Sequence, residues 1–268
     1  MDEISPRLWL YNPNTSPLPL TNLSYFYSDS KIQKMTLQRW ENGPQNLDDL
    51  RNKISKIMVG EKSIDSLLEE KNEHGMKDRF PILLLGELAN PWALSNLRIG
   101  SIPIFRVVID GLCRVWSDGL DSRHSNPGVH HVTLARSENW RESTFLGFAT
   151  KPQMKKMFEW LDNGIKGSWK PAKIGEGVIR LCEGETPEIP SSAVTYDGEK
   201  ETVANQLADI DGSILDLNDV FVPLHTRRGS YNNRGKLARV QHINQRNFHQ
   251  DLFRRGSSFV FDEVLDVN

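Results

Sequence analysis

The segment Pro103-Ile104-Phe105-Arg106-Val107-Val108-Ile109 constrains this chain's fold more than any other. It is too apolar for a half-exposed edge, so Ile102 to Ile109 reads as an interior strand at the centre of a sheet. Further strand signals stand at Phe80 to Leu85, Val129 to Leu134 and Thr144 to Phe148. Two aromatic runs, Arg7 to Tyr11 and Leu23 to Tyr27, are bounded by Pro, Asn and Ser and read as short strands. Between these, Leu47, Leu50, Ile54, Ile57 and Met58 recur at helical spacing over Asn46 to Val59, and the period continues from Ser63 to Glu73. Thr150 as N-cap, Pro152 in the first turn and Met154, Met157, Phe158 and Leu161 on one face predict a helix after Thr150.

The stretch from Glu183 to Ser192 is acidic and proline-bearing, the composition of a linker or a surface loop. It suggests a mixed α/β domain over 1–185 and a smaller α+β region over 186–268, unless the whole chain is one domain. After it come a short helix at Glu201 to Leu207, a strand at Ile214 to Pro223, a turn at Gly229 to Gly235, a helix ending at Phe253 and a last strand at Phe259 to Val267. The fold class expected is α/β or α+β: a mixed sheet with flanking helices, and a C-terminal basic helix followed by a final strand.

Composition excludes several classes. Two cysteines, Cys113 and Cys182, rule out a disulfide scaffold and a zinc site built on paired thiolates. The N-terminus is acidic and broken by Pro6, unlike a secretory signal, and the longest compact apolar run, Pro81 to Leu85, is far too short for a membrane span. A cytoplasmic location without membrane contact is expected.

The formal charge is −2 over 268 residues, yet it is unevenly spread. Between His225 and Arg255 stand eight Arg or Lys against one acid, Asp251, an excess of +7 that leaves −9 for the rest. On a helix from Lys236 to Phe253, Leu237, Val240, Phe248 and Leu252 would form one stripe, with Ile243 at its edge. Arg239, His242, Arg246 and His249 would then gather within about 80° on the opposite side, as an outward ridge of two arginines and two histidines. Guanidinium groups grip phosphate bidentately, and the flanking amides of Gln245 and Gln250 suit base edges. The loop upstream adds Arg227, Arg228, Arg234 and Lys236, with Tyr231 for stacking. The ordinary alternative is a solvated charged face, or one that docks on an acidic surface.

The run His242-Ile243-Asn244-Gln245-Arg246-Asn247-Phe248-His249-Gln250-Asp251-Leu252-Phe253 resembles the helix that precedes the catalytic motif of restriction-type HNH endonucleases. The resemblance covers about a dozen residues and implies a DNA-related or defence-related role. The histidine-bearing catalytic unit that follows in that family has no counterpart after Phe253, so no catalytic residue carries over.

Elsewhere, Asp209, Asp211, Asp216 and Asp219 cluster carboxylates that suit a hard cation such as Mg²⁺, without the spacing of an EF-hand. Caps on a solvated turn are the ordinary reading, with Asp209, Asp211 and Asp216 the metal candidates. His124, His130 and His131 lie close in sequence, but adjacent residues on a strand face opposite ways, so only one of the last two can join His124. Cys113, in an apolar context, reads as buried and inert.

These features leave three functions open. The basic segment favours a nucleic-acid-binding protein, among them a nuclease or a subunit of a nucleic-acid defence or processing complex. The alternative is an assembly protein, homo-oligomeric or bound to a protein partner, whose basic segment docks on an acidic surface. The third is a small-molecule enzyme built around His124 and His130.

Overall fold

The computed structural model describes residues 21–120, 130–182, 193–203, 212–252 and 256–268. In chain order the strands and helices are β1 (Ser24–Ser28), β2 (Lys31–Met35), α1 (Leu47–Ser55), β3 (Met58–Val59), β4 (Lys62–Ser63), α2 (Ile64–Glu70), β5 (Phe80–Leu84) and α3 (Pro91–Asn96). Then follow β6 (Ile102–Leu120), β7 (His130–Ala149), α4 (Lys151–Asp162), β8 (Trp169–Ala172), β9 (Val178–Leu181), β10 (Val194–Tyr196), β11 (Glu201–Val203) and β12 (Ile214–Asp216). The chain closes with β13 (Val222–His225), β14 (Ser230–Asn233), β15 (Lys236–Leu237), α5 (Gln245–Asn247), β16 (Ser257–Phe259) and α6 (Phe261–Val264). The class is α+β, with antiparallel strand pairing throughout the named strands.

The interior strand expected at Ile102 to Ile109 is the first half of β6, which runs for 19 residues. On one side it pairs with β7 along nearly its whole length; on the other it pairs in turn with β1, β9 and, at Ser117, β14. Side chains alternate between two cores, as the period of two demands. Phe26, Leu83, Phe105, Val107 and Ile109 join α1 and α2 on one face, whereas Tyr25, Tyr27, Ile82, Leu84, Ile102 and Ile104 join α3 and α4 on the other. A sheet covered on both faces explains why no polar alternation is visible in that segment.

The helix α4 starts where its sequence requires. Thr150 Oγ1 accepts from Gln153 N, and Gln153 Oε1 accepts from Thr150 N, closing a reciprocal cap. Gln153 also meets Arg79, whose fully buried guanidinium donates to Glu73, Gln153 and the carbonyls of Ser101 and Phe148. This network ties the helix start to the sheet.

Strands on either side of residue 185 share ladders: β12 pairs with β9, β13 with β8 and β14 with β6. Among the described residues no helix is long and apolar enough to cross a membrane.

Four expectations are corrected. The segments expected at Val129 to Leu134 and Thr144 to Phe148 belong, over the described residues from His130 on, to one strand, β7; Val129 lies outside the described residues. Glu201 to Val203 is strand β11, paired with β10, rather than the start of a helix; 204–207 lie outside the described residues. The basic helix from Lys236 does not form as one element. Residues 236–237 pair with β14, Trp116 N donates to Ala238 O, and Val240 N donates to Arg114 O, so this stretch is committed to strand contacts with β6 and β14. Helical structure begins only at Gln245, where Asn244 Oδ1 accepts from Asn247 N, and continues as a wide turn over Phe248–Leu252. Finally, the closing strand is short: β16 ends at Phe259, and Val260 to Glu263 turns into α6. The runs Arg7 to Tyr11 and Glu183 to Ser192 lie outside the described residues.

Candidate nucleic-acid interface

The far end of the β6–β7 hairpin carries its own small core. Trp116 stacks on Phe248 at 5.9 Å, and Tyr231 and His130 meet the Phe248 ring edge-on at 4.8 and 4.7 Å. Trp116 Nε1 donates to Ile243 O at 2.7 Å, and His130 N donates to Gln245 Oε1 at 2.8 Å. These contacts clamp α5 and the turn after it onto the hairpin, which brings His249 to His130. Their ring atoms, Nε2 of His130 and Nδ1 of His249, lie 3.0 Å apart across 119 positions of sequence.

The tautomers follow from the partners. A carbonyl only accepts, so His130 Nδ1, 3.1 Å from Ser117 O, carries the proton. Burial, with the neighbouring His249 as a second cause, pushes the His130 ring down to about 4, so it is neutral near pH 7. Its Nε2 therefore accepts, and His249 Nδ1 donates. A neutral His249 then holds its lone pair on Nε2.

On the opposite face of β7, as alternation requires, His131 is buried against Trp169 at 4.9 Å and His225 at 5.7 Å. His225 Nδ1 accepts from Arg227 N at 3.1 Å, and burial followed by the Arg228 charge lowers its pKa. Arg228 lies across Gly119, where an added Cβ would sit 2.8 Å from its Cγ. Asp118 holds this loop: its Oδ1 accepts from Gly229 N at 3.0 Å, and its charge acts on both His130 and His225. Ser117 Oγ donates to Gly229 O at 2.8 Å. The loop after β13 and the turn around His249 thus flank one hairpin end from its two faces.

The residues singled out from sequence fall into three groups. Arg227 and Arg228 are exposed beside His225, and Arg246 is exposed on α5, next to the half-buried His249. Among the described residues no carboxylate forms an ion pair with Arg227 or Arg228. Lys236 and His242 are exposed at a separate cleft of about 270 Å³, where the Lys236 ammonium lies 4.2 Å from the Tyr196 ring centre and His242 meets Trp140 at 5.3 Å; Arg234, also exposed, accepts a hydrogen bond from Tyr196 Oη at its carbonyl.

Arg239 is the correction. It is 3% exposed, with Nη1 on Glu201 Oε2 at 2.6 Å, Nη2 on Ser137 Oγ at 3.0 Å and its guanidinium over Trp140 at 4.9 Å. The cause is an irregularity in β7. Register passes from Asp110↔Arg141 to Leu112↔Arg136, which leaves Ser137 to Trp140 opposite Gly111 alone and opens a polar seat for the guanidinium. The outward ridge of Arg239, His242, Arg246 and His249 is therefore not assembled.

Asp216 caps the turn Leu217–Asp219 by accepting from Asn218 N, while Asp209 and Asp211 lie outside the described residues, as does His124. Among the described residues no group of three or more His, Cys, Asp or Glu could hold a metal ion. Burial pushes the Cys113 thiol up to about 12 and Cys182 to about 11, so neither is a nucleophile. Sequence reasoning missed Ser117 and Asp118, which organise the site; only their place just before the histidine-bearing stretch hinted at them. No protein-family model, curated protein or solved structure matches this chain.

Proposed function

We propose that this chain binds nucleic acid, with Arg227, Arg228 and Arg246 contacting phosphates around the histidine-bearing end of the β6–β7 hairpin. One observation carries the reading. Cations that the sequence spreads over twenty positions flank a single hairpin end, exposed and beside four histidines brought from three separate segments. Arginine forks match phosphate geometry, and exposed cations gain from releasing counterions condensed on a nucleic acid. The second group, Lys236 and His242 at the cleft with Tyr196 and the exposed Arg234, extends the basic surface.

Fluorescence anisotropy with labelled single-stranded RNA and DNA tests this. Wild type binds at low salt, and the triple variant Arg227→Ala/Arg228→Ala/Arg246→Ala loses at least tenfold in affinity while unfolding at the wild-type urea concentration. Absence of binding at low salt overturns the proposal. Oligomers that dissociate with salt, without nucleic-acid affinity, would instead assign the basic segment to assembly.

A further inference from the structure

We propose that His249 is the general base of a ribonuclease activity that needs no metal, with His130 as its positioning residue; this rests on the nucleic-acid reading above. The geometry is a one-way chain of hydrogen bonds. Ser117 O accepts from His130 Nδ1 at 3.1 Å, and His130 Nε2 faces His249 Nδ1 at 3.0 Å. Both ring nitrogens of His130 are taken up in this chain, and the residue is 2% exposed, so it does not reach a substrate itself. His249 is half-buried, and its basic lone pair is held on the other nitrogen, Nε2. The arrangement does for His249 what an orienting acceptor does for any catalytic histidine: it fixes the tautomer and the ring.

Phe248 locks the pair further. Its ring is packed between Trp116, Tyr231 and His130, and it is the residue immediately before His249. Besides His249, the charge that acts on His130 comes from Asp118 on β6. Arg246, three residues before His249 on the same helical stretch, is exposed, so positive charge stands beside the base.

RNA carries its own nucleophile, which makes a base and positive charge sufficient. His249 Nε2 takes the proton of a ribose 2′-hydroxyl. The freed oxygen pair forms a bond to the adjacent phosphorus, and the bond from phosphorus to the 5′-oxygen breaks. The departing oxygen takes a proton from solvent, and His249 returns its own to solvent. The products are a 2′,3′-cyclic phosphate and a 5′-hydroxyl, with no net water, oxidant or reductant consumed. DNA, lacking the 2′-hydroxyl, is bound and left intact.

The test uses the full chain with an unstructured, end-labelled RNA oligonucleotide in excess EDTA, alongside the same oligomer carrying 2′-O-methyl groups. Wild type is expected to cleave the RNA to cyclic-phosphate ends and to spare the methylated oligomer. His249→Ala and His249→Gln are expected to cut the rate at least 100-fold, the usual share of a general base, with binding changed less than twofold. His130→Phe is expected to lower the rate and move the pH–rate inflection. His130→Asn, whose amide both donates and accepts, is expected to restore part of the rate. RNA bound but left uncut, cleavage that needs a divalent ion, cleavage of the methylated oligomer, or full activity in both His249 variants would each overturn the inference while leaving the binding proposal standing. Absence of RNA binding would remove both.

Discussion

Replacing Arg239 by alanine separates a structural role from a surface one. The guanidinium is ion-paired to Glu201 at 2.6 Å, hydrogen-bonded to Ser137 and stacked over Trp140, and the side chains of the pair are 3% and 13% exposed. Breaking a buried pair from one side costs about 3–5 kcal/mol, because the remaining charge is left in a poor solvent. Glu201 keeps one partner, since its Oε1 accepts from Leu237 N, which places the cost near the lower end, about 3 kcal/mol. With a urea dependence of roughly 2 kcal/mol/M, the unfolding midpoint should fall by about 1.5 M. Tryptophan fluorescence reads it directly, as Trp140 is fully buried beside the pair. Arg246→Ala, at an exposed position, should move the midpoint by under about 0.25 M, or 0.5 kcal/mol. The double variant Arg239→Met/Glu201→Met should recover most of the loss, because no unpaired charge remains. A midpoint for Arg239→Ala within 0.25 M of wild type, on the same roughly 2 kcal/mol/M scale, would refute the reasoning.

Three further outcomes are expected. His130 is lowered in the fold from 6.5 to about 4, so the unfolded chain binds the extra proton between those values, and stability present above pH 6.5 is lost as pH falls toward 4. Unfolding free energies from urea titrations should drop by up to about 3 kcal/mol over that range, and His130→Phe should flatten the dependence, His225 adding a loss of the same sign. Gly229→Ala places a Cβ 1.7 Å from Phe259 O while Asp118 and Ser117 hold its backbone, so it should cost about 3 kcal/mol or more by calorimetry. Thr150→Ala removes the oxygen that accepts from Gln153 N and should cost about 1 kcal/mol, seen as a lower thermal midpoint.

Where local chemistry decides structure, the sequence was legible. The cap at Thr150, the apolar face of α4 and the interior run in β6 are each read from neighbouring residues, and each forms. The stretch from Lys236 to Phe253 misled because its apolar spacing satisfies two structures. Phe248 is buried in the small core and Val240, Ile243 and Leu252 pack against it, but 236–240 reach it as extended chain. Arg239 falls on the outward side of that helical pattern for the same reason. Its seat is made by Ser137 and Trp140, about a hundred positions away, through an irregularity that no local pattern announces. The opposite facing of His130 and His131 was legible from strand alternation alone. That His130 would meet His249, and His131 meet His225, depends on which strands neighbour β6 and β7, and pairing over such distances leaves no mark in a single sequence.

Phosphate contact by Arg227, Arg228 and Arg246 is the centre of the proposed function, and the salt dependence of single-stranded RNA binding by wild type and by the triple alanine variant tests it most directly. If each cation neutralises one phosphate, the logarithmic slope of affinity against salt should become shallower by about 2 in the variant, at roughly 0.7 per contact. Equal slopes and equal affinities would contradict the assignment of this surface.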